Sequence, residues 1–249
     1  GDSAALLFSP TGVADPYLVK YFDGSIEKID TAGLSILVNP TNTTTYRLSS
    51  VTDNNGCKSA DLTDSVTLVV NEIPEVILTT PTETCKNERF LLQFDFTAGT
   101  PPWEITYNFN GDSSTFGMNS SGSIEMSLNA STVFTLNSVT DDNLCKNDIE
   151  KIVTITTHSL PEITFSGGGS LCADGSTTDI TFTTTSGTPP YNLTYSAGLN
   201  PNVVSNIGNI YTISTSQSGV YTIQSLIDSK GCKATSISGS AQVFVNPLP

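Results

Sequence analysis

The stretch "VTDNNGC", Val51 to Cys57, is repeated later in the chain as "VTDDNLC", Val139 to Cys145, and more loosely as "LIDSKGC", Leu226 to Cys232. The cysteines that close the three copies stand 88 and 87 residues apart. Other landmarks keep the same step. "IPEV" at Ile73 to Val76 answers "LPEI" at Leu160 to Ile163, and the sequence ends in another Leu-Pro, Leu248 and Pro249. "GTPPWEITY", Gly99 to Tyr107, answers "GTPPYNLTY", Gly187 to Tyr195, with a worn copy "ADPYLVKY" at Ala14 to Tyr21. So many matches in one register mean internal repetition. The expected division is into three homologous domains, 1–72, 73–159 and 160–249, the first of them truncated at its N-terminus.

Within a repeat the apolar residues alternate. Phe90, Leu92, Phe94 and Phe96 take one face against Leu91, Gln93 and Asp95; Trp103, Ile105 and Tyr107 take one face against Glu104 and Thr106. Period-two alternation marks a strand with one buried side. Clusters of Gly, Asn, Asp and Ser separate the runs. Six or seven such strands in fewer than 90 residues predict an all-β chain of three tandem immunoglobulin-like β-sandwich domains, set in an elongated array. The alternation slips at one place in each copy: the apolar residues are Tyr46, Leu48 and then Val51; Phe134, Leu136 and then Val139; Tyr221, Ile223 and then Leu226. An odd step turns the other face inward, so a β-bulge or a strand end is expected there.

Composition excludes several functions. The 249 residues hold 10 basic and 24 acidic side chains, a formal net charge of −14, which would repel nucleic-acid phosphate and anionic lipid. No run of 18 apolar residues offers a membrane span, and the Gly-Asp-Ser start looks like a cut inside a longer protein.

Cys85 and Cys145 lie 60 residues apart, as do Cys172 and Cys232. Equal spacing in homologous repeats predicts one disulfide inside each domain, Cys85–Cys145 and Cys172–Cys232, each stabilising by roughly 4 kcal/mol; free buried thiols are the alternative. Cys57 is then left unpaired by truncation, its partner expected just ahead of Gly1. Because bridged Cα atoms must approach within about 7 Å, both cysteine loops would share one end of the sandwich. A regular strand order opposes that, so either the strand at 111–118 is vestigial or the first strand is short. Disulfides place the chain outside a reducing cytoplasm. The recurring Asp-x-x-Gly-Cys reads as a tight Asx turn.

"TYRLSSVTDNNGC…SVTLVVNEIPEV" and "SGTPPYNLTYS" resemble the extracellular immunoglobulin-like or PKD-like tandem repeats of Bacteroidota surface proteins, most of all the SprB-like gliding-motility adhesins of flavobacteria, exported by type IX secretion. The resemblance covers all three repeats and carries over no catalytic residue. It implies a stalk or spacer segment of a large cell-surface adhesin, serving gliding motility or attachment; a carbohydrate- or partner-binding module and accessory domains of a secreted enzyme are the alternatives. Neighbouring repeats of the same chain are the expected partners, together with surface polysaccharide, and direct membrane insertion is not expected. Asp2-Ser3-Ala4, Asp30-Thr31-Ala32 and Asp64-Ser65-Val66 resemble the O-glycosylation triads of that phylum.

The remaining candidates for chemistry are isolated. His158 is the single histidine, with no nucleophile motif beside it. Gly167-Gly168-Gly169 lacks the lysine and helix of a phosphate loop. Trp103 and Tyr191, each after Pro-Pro, could stack on sugars, although their alternation favours the core. Asp53, Asp141 and Asp142 offer hard oxygens for calcium, but without a regular calcium loop; no cofactor is expected.

Overall fold

In the computed structural model, residues 3–9, 16–32, 35–59, 62–198 and 200–249 are described. Asp2 of the first glycosylation-like triad, and Ala14 and Asp15 of the worn proline motif, lie outside them. All regular structure among the described residues is strand, so no helix there is long and apolar enough to cross a membrane.

Repeat 1 contains β1 (Ala4–Leu7), β2 (Tyr17–Asp23), β3 (Ile26–Ala32), β4 (Ser35–Val38), β5 (Thr44–Thr52) and β6 (Ser65–Leu68). They form a β1-β4 pair and a sheet in the order β3-β2-β5-β6. Leu6, Tyr17, Val19, Tyr21, Ile36, Val38 and Tyr46 are buried together.

Repeat 2 contains β7 (Glu75–Thr79), β8 (Glu83–Cys85), β9 (Arg89–Ala98), β10 (Trp103–Phe109), β11 (Asp112–Met118), β12 (Gly122–Ser127), β13 (Thr132–Thr140) and β14 (Lys146–His158). One sheet runs β12-β9-β7 and the other β11-β10-β13-β14-β8. That order is an immunoglobulin-like sandwich, with the first strand split so that each half edges a different sheet. Phe90, Leu92, Phe94, Ile105, Phe134, Leu136 and Ile155 are buried together, while Leu91 on the other face of β9 is exposed, as the alternation predicts.

Repeat 3 contains β15 (Glu162–Cys172), β16 (Thr178–Ser186), β17 (Tyr191–Ala197), β18 (Asn200–Ile207), β19 (Ile210–Thr215), β20 (Gly219–Ile227), β21 (Ser236–Gly239) and β22 (Ala241–Asn246). Its strands follow the order β18-β17-β20-β22-β15-β16-β19. β15 pairs antiparallel with β16 as far as Gly167 and parallel with β22 from Gly168 onward, so one continuous strand serves both layers. Ile163, Phe182, Tyr191, Leu193, Leu226 and Val243 centre the third buried cluster.

Each buried cluster lies in a single repeat. The chain as a whole divides into two compact units: residues 1–75 with 98–101 and 140–147, and residues 76–97, 102–139 and 148–249.

The slip in alternation is a bulge in the repeats at either end. Against β2, β5 pairs Ser50 with Lys20 and Leu48 with Tyr21, so Ser49 is the extra residue. Against β17, β20 pairs Ser225 with Thr194 and Ile223 with Tyr195, leaving Gln224 extra at the equivalent place. The extra residue restores the inward face for the next apolar side chain, and Leu226 is fully buried.

Two expectations are corrected. β11 is a full strand of seven residues paired with β10 over its whole length, so 111–118 is not vestigial. Nor do the expected disulfides form: the bridge is Cys85–Cys232, which excludes both Cys85–Cys145 and Cys172–Cys232. Strand direction gives the reason. Cys85 on β8 lies beside His158, the last residue of β14, whereas Cys145 immediately precedes the first residue of that strand. Thirteen residues at about 3.3 Å each put the two ends of β14 roughly 40 Å apart, far beyond disulfide reach.

Candidate functional site: a clasp between repeats 2 and 3

The disulfide joins the end of the split first strand of repeat 2 to the last turn of repeat 3, with 5.5 Å between Cα atoms. Both half-cystines are buried. Two residues before each cysteine stands a charge of opposite sign. Lys230 Nζ donates to Glu83 Oε2 at 2.8 Å, and His158 Nε2 lies 3.0 Å from the same oxygen. The Lys86 N–H donates to the His158 carbonyl, so the chain around the clasp is also pinned by backbone. Lys230 first, and His158 after it, hold the Glu83 carboxyl below the usual Glu range. Only Ser159, Leu160 and Pro161 separate β14 from β15, and proline stiffens that link.

The turn that carries Cys232 is built by Asp228. Its Oδ1 accepts the N–H groups of Lys230 and Cys232, both at 2.9 Å, and its Oδ2 accepts the N–H of Thr188 at 3.0 Å. Thr188 belongs to "GTPP", so the two most conspicuous motifs of the repeat are bonded to each other. The pattern recurs in repeat 2, where Asp141 Oδ1 accepts the Cys145 N–H and Oδ2 the Thr100 N–H. In repeat 1, Asp53 Oδ1 accepts the N–H groups of Asn55 and Cys57. Of the aspartates singled out for calcium, Asp53 and Asp141 therefore hold backbone donors and Asp142 is exposed, its own N–H donating to the Thr100 carbonyl; the described residues contain no group of three or more His, Cys, Asp or Glu that could hold a metal. A carboxylate satisfied by backbone N–H groups, buried at Asp141 and Asp228 and half-buried at Asp53, accounts for the motif by itself.

The other sequence candidates are also located. His158 is the last residue of β14 and belongs to the clasp. Trp103 is buried and stacks on Phe96 with centroids 4.2 Å apart; Tyr191 is buried, and its hydroxyl donates to the Ser186 carbonyl. Neither offers a face to a sugar. Cys57 and Cys172 are exposed and free. Glu83 and Lys230, which complete the clasp, were not among the candidates read from the sequence. Their significance appears only once the cysteines two residues after them are known to meet.

No family model and no curated protein matches the chain. Among solved structures, a Ca2+-stabilized adhesin of an ice-binding Antarctic bacterium is 11% identical with a TM-score of 0.41, covering 98% of this chain and 68% of that one. The FN1–FN3 domains of chicken CNTN1 are 12% identical, TM-score 0.38, covering 93% and 90%. The central fibronectin-III array of RIM-binding protein is 16% identical, TM-score 0.23, covering 90% and 84%. Likenesses at this level assign the chain to no family, and the sandwich architecture rests on its own strand order.

Proposed function

We propose that this chain is a structural stalk or spacer segment of a large extracellular surface protein of the adhesin type, in gliding or attachment, and that its three repeats act as serial β-sandwich units. The observation that carries this reading is the Cys85–Cys232 bridge, which fastens one repeat to the next instead of closing a loop within one. A bond placed in this way lets a load pass from one repeat to the next without unfolding either. A pull entering at Cys85 crosses the sulfurs to Cys232 and bypasses everything between. A disulfide of this kind also belongs outside the reducing cytoplasm. The short proline-bearing link and the Glu83–Lys230 pair support the same reading, since both limit play at the junction.

Single-molecule extension of the chain, held at its two ends, tests it. With the bridge intact, the residues between the two cysteines stay shielded however hard the ends are pulled. Reductant should add roughly 500 Å of extensible chain, the contour of the 147-residue separation at about 3.5 Å per residue. Equal lengths with and without reductant would remove the clasp and the reading with it.

A further inference from the structure

We propose that repeat 1 is a receptor for a β-strand: the groove between β1 and β6 binds an extended, proline-broken peptide segment supplied by a separate polypeptide of the same repeat class.

In repeats 2 and 3 a first strand closes both layers of the sandwich. β7 lies beside β9, and β8 then lies parallel to β14; β15 pairs antiparallel with β16 and then parallel with β22. Repeat 1 presents the corresponding edges unoccupied. Among the described residues, β1 has only β4 beside it, and β6 only β5. A cavity of about 750 Å³ is lined from both edges, by Leu6, Phe8, Tyr17, Leu48, Val66 and Leu68 among others. Equivalent residues show the difference. Val66 stands opposite Tyr46 as Ala241 stands opposite Tyr221, yet Val66 is 47% exposed and Ala241 3%. A free sheet edge offers unpaired N–H and C=O groups to an added strand, and the apolar cavity receives that strand's alternate side chains.

The first strands of the other two repeats define what fits. They turn Val76 and Leu78, or Ile163 and Phe165, toward their cores at alternate positions. They differ where they change layer, and Asp64 selects between them. Asp64 stands two residues before Val66, as Gly239 stands two before Ala241. Gly239 has φ +103°, and a Cβ there would overlap the Phe165 carbonyl oxygen of the unbroken strand β15. A side chain at this place therefore has no room beside an unbroken strand. Repeat 2 has no glycine anywhere in β14, and its first strand is interrupted around Pro81. The occupant of repeat 1 is accordingly of the Ile73 to Cys85 type, "IPEVILTTPTETC", its first half beside β1 and its second half beside β6. β7, β8 and β15 are engaged in their own repeats, so the segment comes from another polypeptide.

A labelled synthetic peptide of residues 73–87, carrying Cys85→Ser, is titrated with the full chain and followed by fluorescence anisotropy. Saturable binding is expected, with new hydrogen-exchange protection in β1 and β6 and none in β16 or β22. Placing Val76→Asp and Leu78→Asp together in the peptide should abolish binding, and these changes leave the folding of the chain itself untouched. A peptide of residues 160–174 with Cys172→Ser should bind at least about tenfold more weakly, and Asp64→Gly in the chain should narrow that gap. Absence of saturable binding by the first peptide, protection elsewhere, or equal binding of the two peptides would overturn the proposal. So would dimerisation of the chain alone with the same protection, because the strand would then come from a second copy. None of these readouts depends on the Cys85–Cys232 bridge.

Discussion

Repeats 2 and 3 move their first strand from one sheet to the other at the same point, and they do it by opposite means. In repeat 2 the strand is interrupted: β7 ends at Thr79, β8 begins at Glu83, and Pro81 sits in the gap, where a missing N–H costs no ladder bond. In repeat 3 the equivalent position is Gly168, and β15 continues unbroken. Gly167 still pairs with Ile180 of β16, while its neighbour Gly168 already pairs with Gln242 of β22. Both glycines have positive φ, and a Cβ on either would sit 2.1 Å from the Asp179 carbonyl oxygen or 2.3 Å from that of Gln242. A break tolerates side chains around it; a handover between adjacent residues tolerates none. The two repeats share an architecture whose local requirements differ sharply, which is why one writes Thr-Pro-Thr and the other Gly-Gly-Gly.

Substitution at the crossing separates the two designs most strongly. Gly168→Ala should cost about 3 kcal/mol, combining left-handed strain with overlap on the Gln242 carbonyl. Pro81→Ala should cost less than about 1 kcal/mol, mostly through the unfolded chain. Chemical denaturation of the two variants reads the difference, and equal losses would mean that the crossings are alike after all. A smaller contrast lies in the last turns. Leu144 holds φ +63° where repeat 3 has Gly231 at +84°, and its side chain is 82% exposed. Leu144→Gly should therefore stabilise by about 1 kcal/mol, raising the denaturation midpoint, because strain is relieved and almost no packing is lost. The smallest effect concerns acid. Glu83 titrates below its unfolded value, so its contribution is present above the ordinary Glu range and is lost as pH falls through the depressed one. The melting temperature of Glu83→Gln should lie slightly below that of the parent near pH 6 and converge with it toward pH 3. A gap that widened in acid would contradict the sign.

Much of this was legible in the sequence, for reasons that can be named. Strand alternation placed Leu92, Phe94 and Ile105 inside, and the odd step after Leu48 and Ile223 announced the bulges at Ser49 and Gln224. The disulfide was not legible from spacing. In a periodic chain, a 60-residue interval repeated twice is equally consistent with bonds inside each repeat and with bonds offset by one repeat; the observed separation of 147 is that interval plus one period. Strand order held the deciding information, because a first strand parallel to the last sends Cys85 away from Cys145. A regular sandwich with a full strand at 111–118 is compatible with the bridge once it joins successive repeats. The clasp's helpers stayed hidden for a related reason. Glu83 and Lys230 are 147 residues apart, and no local pattern relates an exposed acid to an exposed lysine across that distance.

The way repeat 3 is entered and left has a mechanical consequence. β15 and β22 are parallel neighbours joined from Gly168–Gln242 to Cys172–Asn246, and the chain comes in along one and goes out along the other. Once the Cys85–Cys232 bridge is reduced, tension through the backbone slides these strands lengthwise, so the rungs of that ladder share the strain and must yield in shear together. The β17–β18 hairpin, peeled from its open end, would give way one rung at a time. Repeat 2 offers only the three residues of β8 against β14 for the same duty. Its counterpart in repeat 3 is longer, and the sulfur bond stands where the shorter ladder ends.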